Sequence, residues 1–332
     1  MRKNSKMRYV LATLKVVGLA LGLAGNVSAK NTGYVFVSSE KDDVVTVFDV
    51  KSLAKVATIE TGERPRHMAF SRDRKRLYVA ASEADLIQII DMDTLKVVDA
   101  LDVGEDPEAF DLSSDEKLMF ITNEDDGELT IFDLSTREVV SAVEVGEEPE
   151  GVLASADGRT VYVTSEVANM VHVVDVEKRE VIANVVVGNR PRRFALTPDG
   201  RFLWVTNELS GTVSIIDTST NTISGEIAFT PRGFRPEDIT PVGIAMTADG
   251  KTAYVGLGAA NHVAVVDVVQ RKATDYVLVG KRPWALTLTR DEATLFVVNG
   301  KSDDVSVVDT GSLKVKRSIP AGRVPYGVII DD

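Results

Sequence analysis

From residue 31 onward, short apolar runs alternate with polar turns along the whole chain. In the stretch 62–103 the runs His67–Ser71, Leu77–Ala81, Leu86–Ile90 and Lys96–Val103 are separated by Arg72-Asp73-Arg74, by the polar 82–85 and by the turn headed by Asp91. Runs this short, rich in Val, Ile and aromatics, with turn residues every ~8–12 positions, predict antiparallel strands. Apolar positions do not recur at three and four, so a helical solenoid is disfavoured. Several runs are apolar at consecutive positions, as in Leu77-Tyr78-Val79 and Ile89-Ile90. A sheet with one wet face would alternate more cleanly, so these sheets are expected to be covered on both faces.

The pattern repeats. An aromatic is followed thirteen positions later by an aspartate seven times: Phe36/Asp49, Tyr78/Asp91, Phe120/Asp133, Tyr162/Asp175, Trp204/Asp217, Tyr254/Asp267 and Phe296/Asp309. Successive aspartates are 42 residues apart, except for one interval of 50. A period of this size denotes stacked supersecondary units. Blades of four strands around an axis cover both faces of each sheet. Turns of glycine and proline (Gly62/Pro65, Gly104/Pro107 and their equivalents) open each unit, with the glycine lost before Pro241. The phase predicts closure: the chain enters at a second strand, near Tyr34, and leaves after a first strand, Tyr326 to Ile330. The expected fold is an all-β, seven-bladed propeller of four-stranded antiparallel blades, its ring closed by the C-terminal strand in the N-terminal blade. The recurring aspartate heads a turn, where a carboxylate accepts backbone N–H groups two residues on. Present seven times, it reads as architecture.

The first residues change the picture of where the protein works. Arg2, Lys3, Lys6 and Arg8 precede an apolar stretch from Val16 to Ala24 and a small-x-small site at Val27-Ser28-Ala29. Residues 1–29 read as a signal peptide, with cleavage expected after Ala29, and 30–332 as the propeller; the expected location is the periplasm. No stretch is apolar enough to predict membrane insertion. The net charge is −12, and −17 once the five basic residues of the leader are removed. Such acidity argues against nucleic acid, whose phosphates need basic patches. There is no cysteine, hence no disulfide and no covalently attached haem.

Tyr162-Val163-Thr164-Ser165, Trp204-Val205-Thr206-Asn207 and Phe296-Val297-Val298-Asn299 resemble the signature of the YVTN β-propeller repeat. Around it run Gly-x-x-Pro, Ser/Thr-x-Asp-Gly and Val-x-Val-x-Asp. Seven such repeats behind a leader resemble the PQQ-dependent catabolism-associated β-propeller family. The resemblance implies a periplasmic binding or scaffold protein beside quinoprotein alcohol oxidation or a linked transport system, with partners from that system and no chemistry of its own. Long tryptophan-docking blades are missing, so PQQ itself is not an expected ligand, and neither a cofactor nor a metal is assigned.

Differences between repeats carry the candidate chemistry. The second residue after the turn proline is small in five copies (Ala109, Gly151, Gly243, Ala285, Gly327) and is His67 and Arg193 in the other two. With Arg66, Arg192, Trp284 and Tyr326 these are expected to form a channel-mouth pocket for a small anionic, aromatic-compatible ligand. Glu108 and Glu150 stand beside them. Along the turns one acidic sector (Glu105 to Glu108, Glu147 to Glu150) lies between two basic ones, either an ordinary solvated rim or a face that orients a partner. A calcium ion in that sector has no EF-hand-like spacing to support it. The eight extra residues fall in 229–240, where Arg232, Phe234 and Arg235 are candidates for contacting a partner. Two alternatives remain. A lactonase-type hydrolase would use His67, Arg193 and Glu108 or Glu150. A cell-surface interaction module would use the rim.

Overall fold

The computed structural model describes residues 31–332, so the leader expected at 1–29 lies outside the described residues. Twenty-eight strands form seven four-stranded antiparallel sheets. The first blade contains β1 (Tyr34–Ser39), β2 (Val44–Asp49) and β3 (Lys55–Glu60). Blades two to five follow as β4–β7 (65–102), β8–β11 (107–144), β12–β15 (149–186) and β16–β19 (191–228). Blade six is β20–β23 (244–278) and blade seven β24–β27 (283–320). The last strand, β28 (Pro325–Asp331), returns to pair antiparallel with β1, from Tyr34↔Asp331 to Ser39↔Pro325. The ring therefore closes as the repeat phase predicts. Thr32 reinforces the seam: its N–H and its hydroxyl both donate to Asp331 Oδ2, at 2.8 and 2.7 Å.

Burial explains the consecutive apolar runs. In the second and third strands of each blade nearly every residue is buried, because neighbouring blades cover both faces; the outermost strands alternate and stay half wet. One inter-blade core joins Val35, Val37 and Phe48 of the first blade to Phe296 and Val305 of the seventh. That layer of apolar contact exists only because the ring closes. The strand-end aspartates act as read. Asp49 accepts the N–H of Lys51 at 3.1 Å and of Ser52 at 2.7 Å, and Asp133 that of Ser135 at 2.7 Å. These bonds hold the carboxyls of Asp49 and Asp133 below the usual range.

The insertion packs between blades five and six, where Phe229 and Ile239 are buried in the core. Phe234 is half-buried, its ring edge-on to His262 at 5.2 Å. Arg235 is tied to Glu237 and Asp238, each at 3.0 Å, while Arg232 is exposed. The detour shortens the inner strand of blade six to Ile244–Met246. Among the described residues no helix is long and apolar enough to cross a membrane.

Candidate functional site

The inner strands β4 (Pro65–Phe70), β8 (Pro107–Leu112), β12 (Pro149–Ala154), β16 (Pro191–Leu196), β20, β24 (Pro283–Leu288) and β28 surround the axis. Each starts at or just after the turn proline, so residues one and two positions beyond it stand in two successive rings. Small residues in the lower ring answer to close approach between blades. A Cβ on Gly151 would lie 2.1 Å from the Arg192 carbonyl oxygen, and one on Gly243 would lie 2.5 Å from that of Trp284.

The upper ring is a paired charge layer. Arg66 donates from Nε to Glu40 at 2.7 Å, pairs through Nη1 with Glu108, and stacks over Tyr326 with its guanidinium 4.7 Å from the ring centre. Glu150 receives the Tyr326 hydroxyl at 2.9 Å, Arg192 Nη2 at 3.1 Å and Arg193 Nη2 at 2.8 Å. Arg192 also pairs with Glu166 and, at 3.6 Å, with Glu208. Trp284 lies between the guanidinium groups of Arg192 and Arg282, at 5.1 and 4.7 Å. Burial would raise the Glu150 carboxyl, but Arg192, Arg193 and Arg66 together with the Tyr326 hydroxyl hold it well below the usual range. Burial pushes the Tyr326 phenol up.

The inner part of the expected rim is paired across blades, while Glu105, Glu147 and Glu148 of the acidic sector stay exposed. Arg64, Arg66, Arg190 and Arg192 cross to the carboxylates of adjoining blades, because a buried charge left unpaired is costly. Asp106, Glu108 and Glu124 do converge, with oxygens within 4.8 Å of one another. Arg64, at 3.6 Å from Asp106 and 3.7 Å from Glu108, already stands there as a cation, together with Arg66. The cluster carries no metal assignment.

Beneath this layer is an axial cavity of about 280 Å³. Of the residues singled out in the sequence, His67, Arg193, Trp284 and Tyr326 line it, whereas Arg66, Glu108, Glu150 and Arg192 lie in the charge layer and do not. The loop residues Arg232, Phe234 and Arg235 are not part of its wall. His67 Nδ1 accepts the Phe110 N–H at 3.4 Å, and its ring meets that of Phe110 edge-on at 4.9 Å. Burial first, then the charge of Arg193, lowers its pKa to about 3, so the ring is neutral near pH 7. With Nδ1 accepting, the proton of the neutral ring sits on Nε2. Arg193 donates from Nη1 to the Glu150 carbonyl at 2.8 Å and also reaches the Tyr326 hydroxyl. Among the described residues the buried indole N–H of Trp284 has no partner. The polar inventory of this end is thus weighted to donors.

The cavity has a second end. A vestibule of about 670 Å³ lies around the tips of the inner strands, lined by Arg72, Arg74 and Arg290, by the acidic Glu116 and Asp332, and by serine and apolar residues. Asp111 lines both spaces. Reading the sequence only at the first two positions after the proline missed it. The signal was available: the fourth position holds Ala69, Leu153, Ala195, Ala245, Thr287 and Ile329 in the other repeats, so Asp111 is its one charged member.

Parts of the chain match three family models: a YNCE-like β-propeller over 24–158, the seven-bladed β-propeller lactonases over 183–323, and the cytochrome D1 haem domain over 113–233. No curated protein matches by sequence. Among solved structures, a chain of Kuenenia stuttgartiensis hydrazine synthase superimposes with a TM-score of 0.76 at 21% identity, covering 84% of this chain and 93% of that one. A 6-phosphogluconolactonase-like protein of Bacteroides uniformis gives 0.74 at 14% identity, covering 89% and 98%. The dihydro-haem d1 dehydrogenase NirN, in complex with DHE, gives 0.68 at 17%, covering 91% and 76%. At these identities the likeness is one of fold.

Proposed function

We propose that this seven-bladed propeller is an exported binding protein, serving a periplasmic quinoprotein alcohol-oxidation or linked transport system, and that its axial cavity holds a small carboxylate. The leader-like start and the YVTN-like repeats support the setting. The observation that carries the ligand assignment is the donor-weighted end of the cavity. Arg193 brings its guanidinium to the wall, the buried Trp284 indole N–H has no partner among the described residues, and His67 is neutral with its proton on Nε2. Buried donors without acceptors are costly, and a ligand oxygen offsets that cost. Carboxylates are the end products of alcohol oxidation, which fits the setting.

Trp284 supplies the test. Titrating the purified protein with short-chain carboxylates should change its fluorescence, with Trp284→Phe identifying the signal. Arg193→Ala should weaken binding at least tenfold. Carboxylate affinity unchanged in Arg193→Ala would overturn the assignment. The scaffold role is tested separately, by recovering a dehydrogenase, cytochrome or transporter subunit with the tagged protein from periplasmic extracts.

A second reading, hydrolysis of lactones, draws on His67 and Arg193 sharing a cavity. The geometry supports it less well. Glu150 is held by two arginines and Tyr326, and His67 presents a donor where a base would be required. Lactone hydrolysis by the purified protein, lost in His67→Gln, would favour this reading over binding alone.

A further inference from the structure

Asp111 has no part in the function proposed above. Oδ1 accepts the Leu112 N–H and Oδ2 the Ala154 N–H, both at 2.8 Å. Among the described residues no lysine, arginine or histidine pairs with it. Burial pushes its carboxyl up, opposed only by those two N–H groups. The contrast with Glu108 and Glu150, each matched by arginines, is direct. A carboxylate withdrawn from water without a counter-charge is costly. Asp111 faces a space a ligand can enter, so a ligand can bring the missing charge.

Its distance from the donor end limits that ligand. Arg193 bonds the carbonyl of Glu150 and Asp111 bonds the N–H of Ala154, both on β12. Four residues of strand span ~13 Å at ~3.3 Å per residue. The wall between is apolar, with Val152, Leu153, Leu286 and Val328 lining the cavity.

We propose that Asp111 is the cation-binding residue of the axial cavity and that the ligand is an extended ω-amino carboxylate. Its ammonium group meets Asp111, its methylene chain lies against Val152, Leu286 and Val328, and its carboxylate takes the donors of Arg193 and Trp284. An α-amino acid, with one carbon between its charges, is too short to reach both ends. This inference rests on the axial cavity being the ligand site.

The experiment is a fluorescence titration of the intact protein with 5-aminopentanoate, pentanoate, pentylamine and alanine. 5-Aminopentanoate should bind at least tenfold more tightly than pentanoate, and alanine least. Asp111→Asn should remove that tenfold preference while leaving pentanoate affinity unchanged. Asparagine can accept only one of the two N–H groups that Asp111 holds, so some loss of stability is expected; a wild-type far-UV circular dichroism spectrum and retained pentanoate binding separate lost recognition from lost folding. Equal affinity for pentanoate and 5-aminopentanoate, or a preference that survives in Asp111→Asn, overturns the ammonium site and leaves the carboxylate site standing. Alanine binding as tightly as 5-aminopentanoate overturns the extended ligand. No response to any of the four overturns both this inference and the axial site.

Discussion

Replacing Glu150 by glutamine isolates what the buried charge layer contributes. Glu150 is 3% exposed and is shared by Arg192, Arg193 and the Tyr326 hydroxyl, contacts that tie blades four, five and one together across the axis. Glutamine keeps the shape but leaves the two guanidinium groups short of one negative charge. Removing one partner of a buried pair costs about 3–5 kcal/mol. At about 2 °C per kcal/mol for a domain of this size, Tm should fall by about 6–10 °C. The acid limb is the more specific test. The Glu150 carboxyl is depressed in the folded protein, so its contribution is complete above the unfolded glutamate value, about 4.3. It is lost as pH falls from there through the folded value. Wild-type stability should therefore drop below about pH 4.3 more steeply than that of Glu150→Gln. Urea unfolding at pH 7 and across the acid range measures both effects. A variant within about 0.5 kcal/mol of wild type, or one with an unchanged acid slope, would refute the account of the layer as mutually dependent charges.

Two further predictions follow from the same geometry. His67 has a folded pKa of about 3 against an unfolded value of about 6.5, so its neutral form favours the fold above pH ~6.5 and that contribution is lost as pH falls toward the folded value. His67→Gln should flatten the stability profile across this window, as seen by thermal unfolding; an unaltered profile would show His67 to be solvated instead. Deleting 325–332 removes β28, the partner of β1, and uncovers the core between blades one and seven. Circular dichroism should show destabilisation of the whole domain, not loss of one strand, and a wild-type Tm in the truncation would count against a closed ring.

The fold was legible because it is written seven times. Consecutive burial in Leu77-Tyr78-Val79, the closing phase at Tyr326 to Ile330 and the turn-heading aspartates are all periodic. The site was less legible because it consists of exceptions, and their direction depends on other blades. Arg66 and Arg192 were expected at the pocket, yet each turns toward a glutamate 26 residues earlier, Glu40 and Glu166. That spacing is visible in the sequence, but its meaning as an inter-blade pair needs the ring. Phe234, a candidate for contacting a partner, is partly occupied by His262, a contact that no local pattern encodes. Asp111 went unread for a simpler reason: it sits two positions further along β8 than the residues being compared.

The seam between β28 and β1 also fixes an order of events during biogenesis. β1, β2 and β3 must wait for β28, made much later, before their sheet is whole, so blade one carries an open edge until that strand arrives. Such an edge invites pairing with other chains. Assembly of this ring is thus coupled to the arrival of β28, and until then β1 is the edge most in need of shielding.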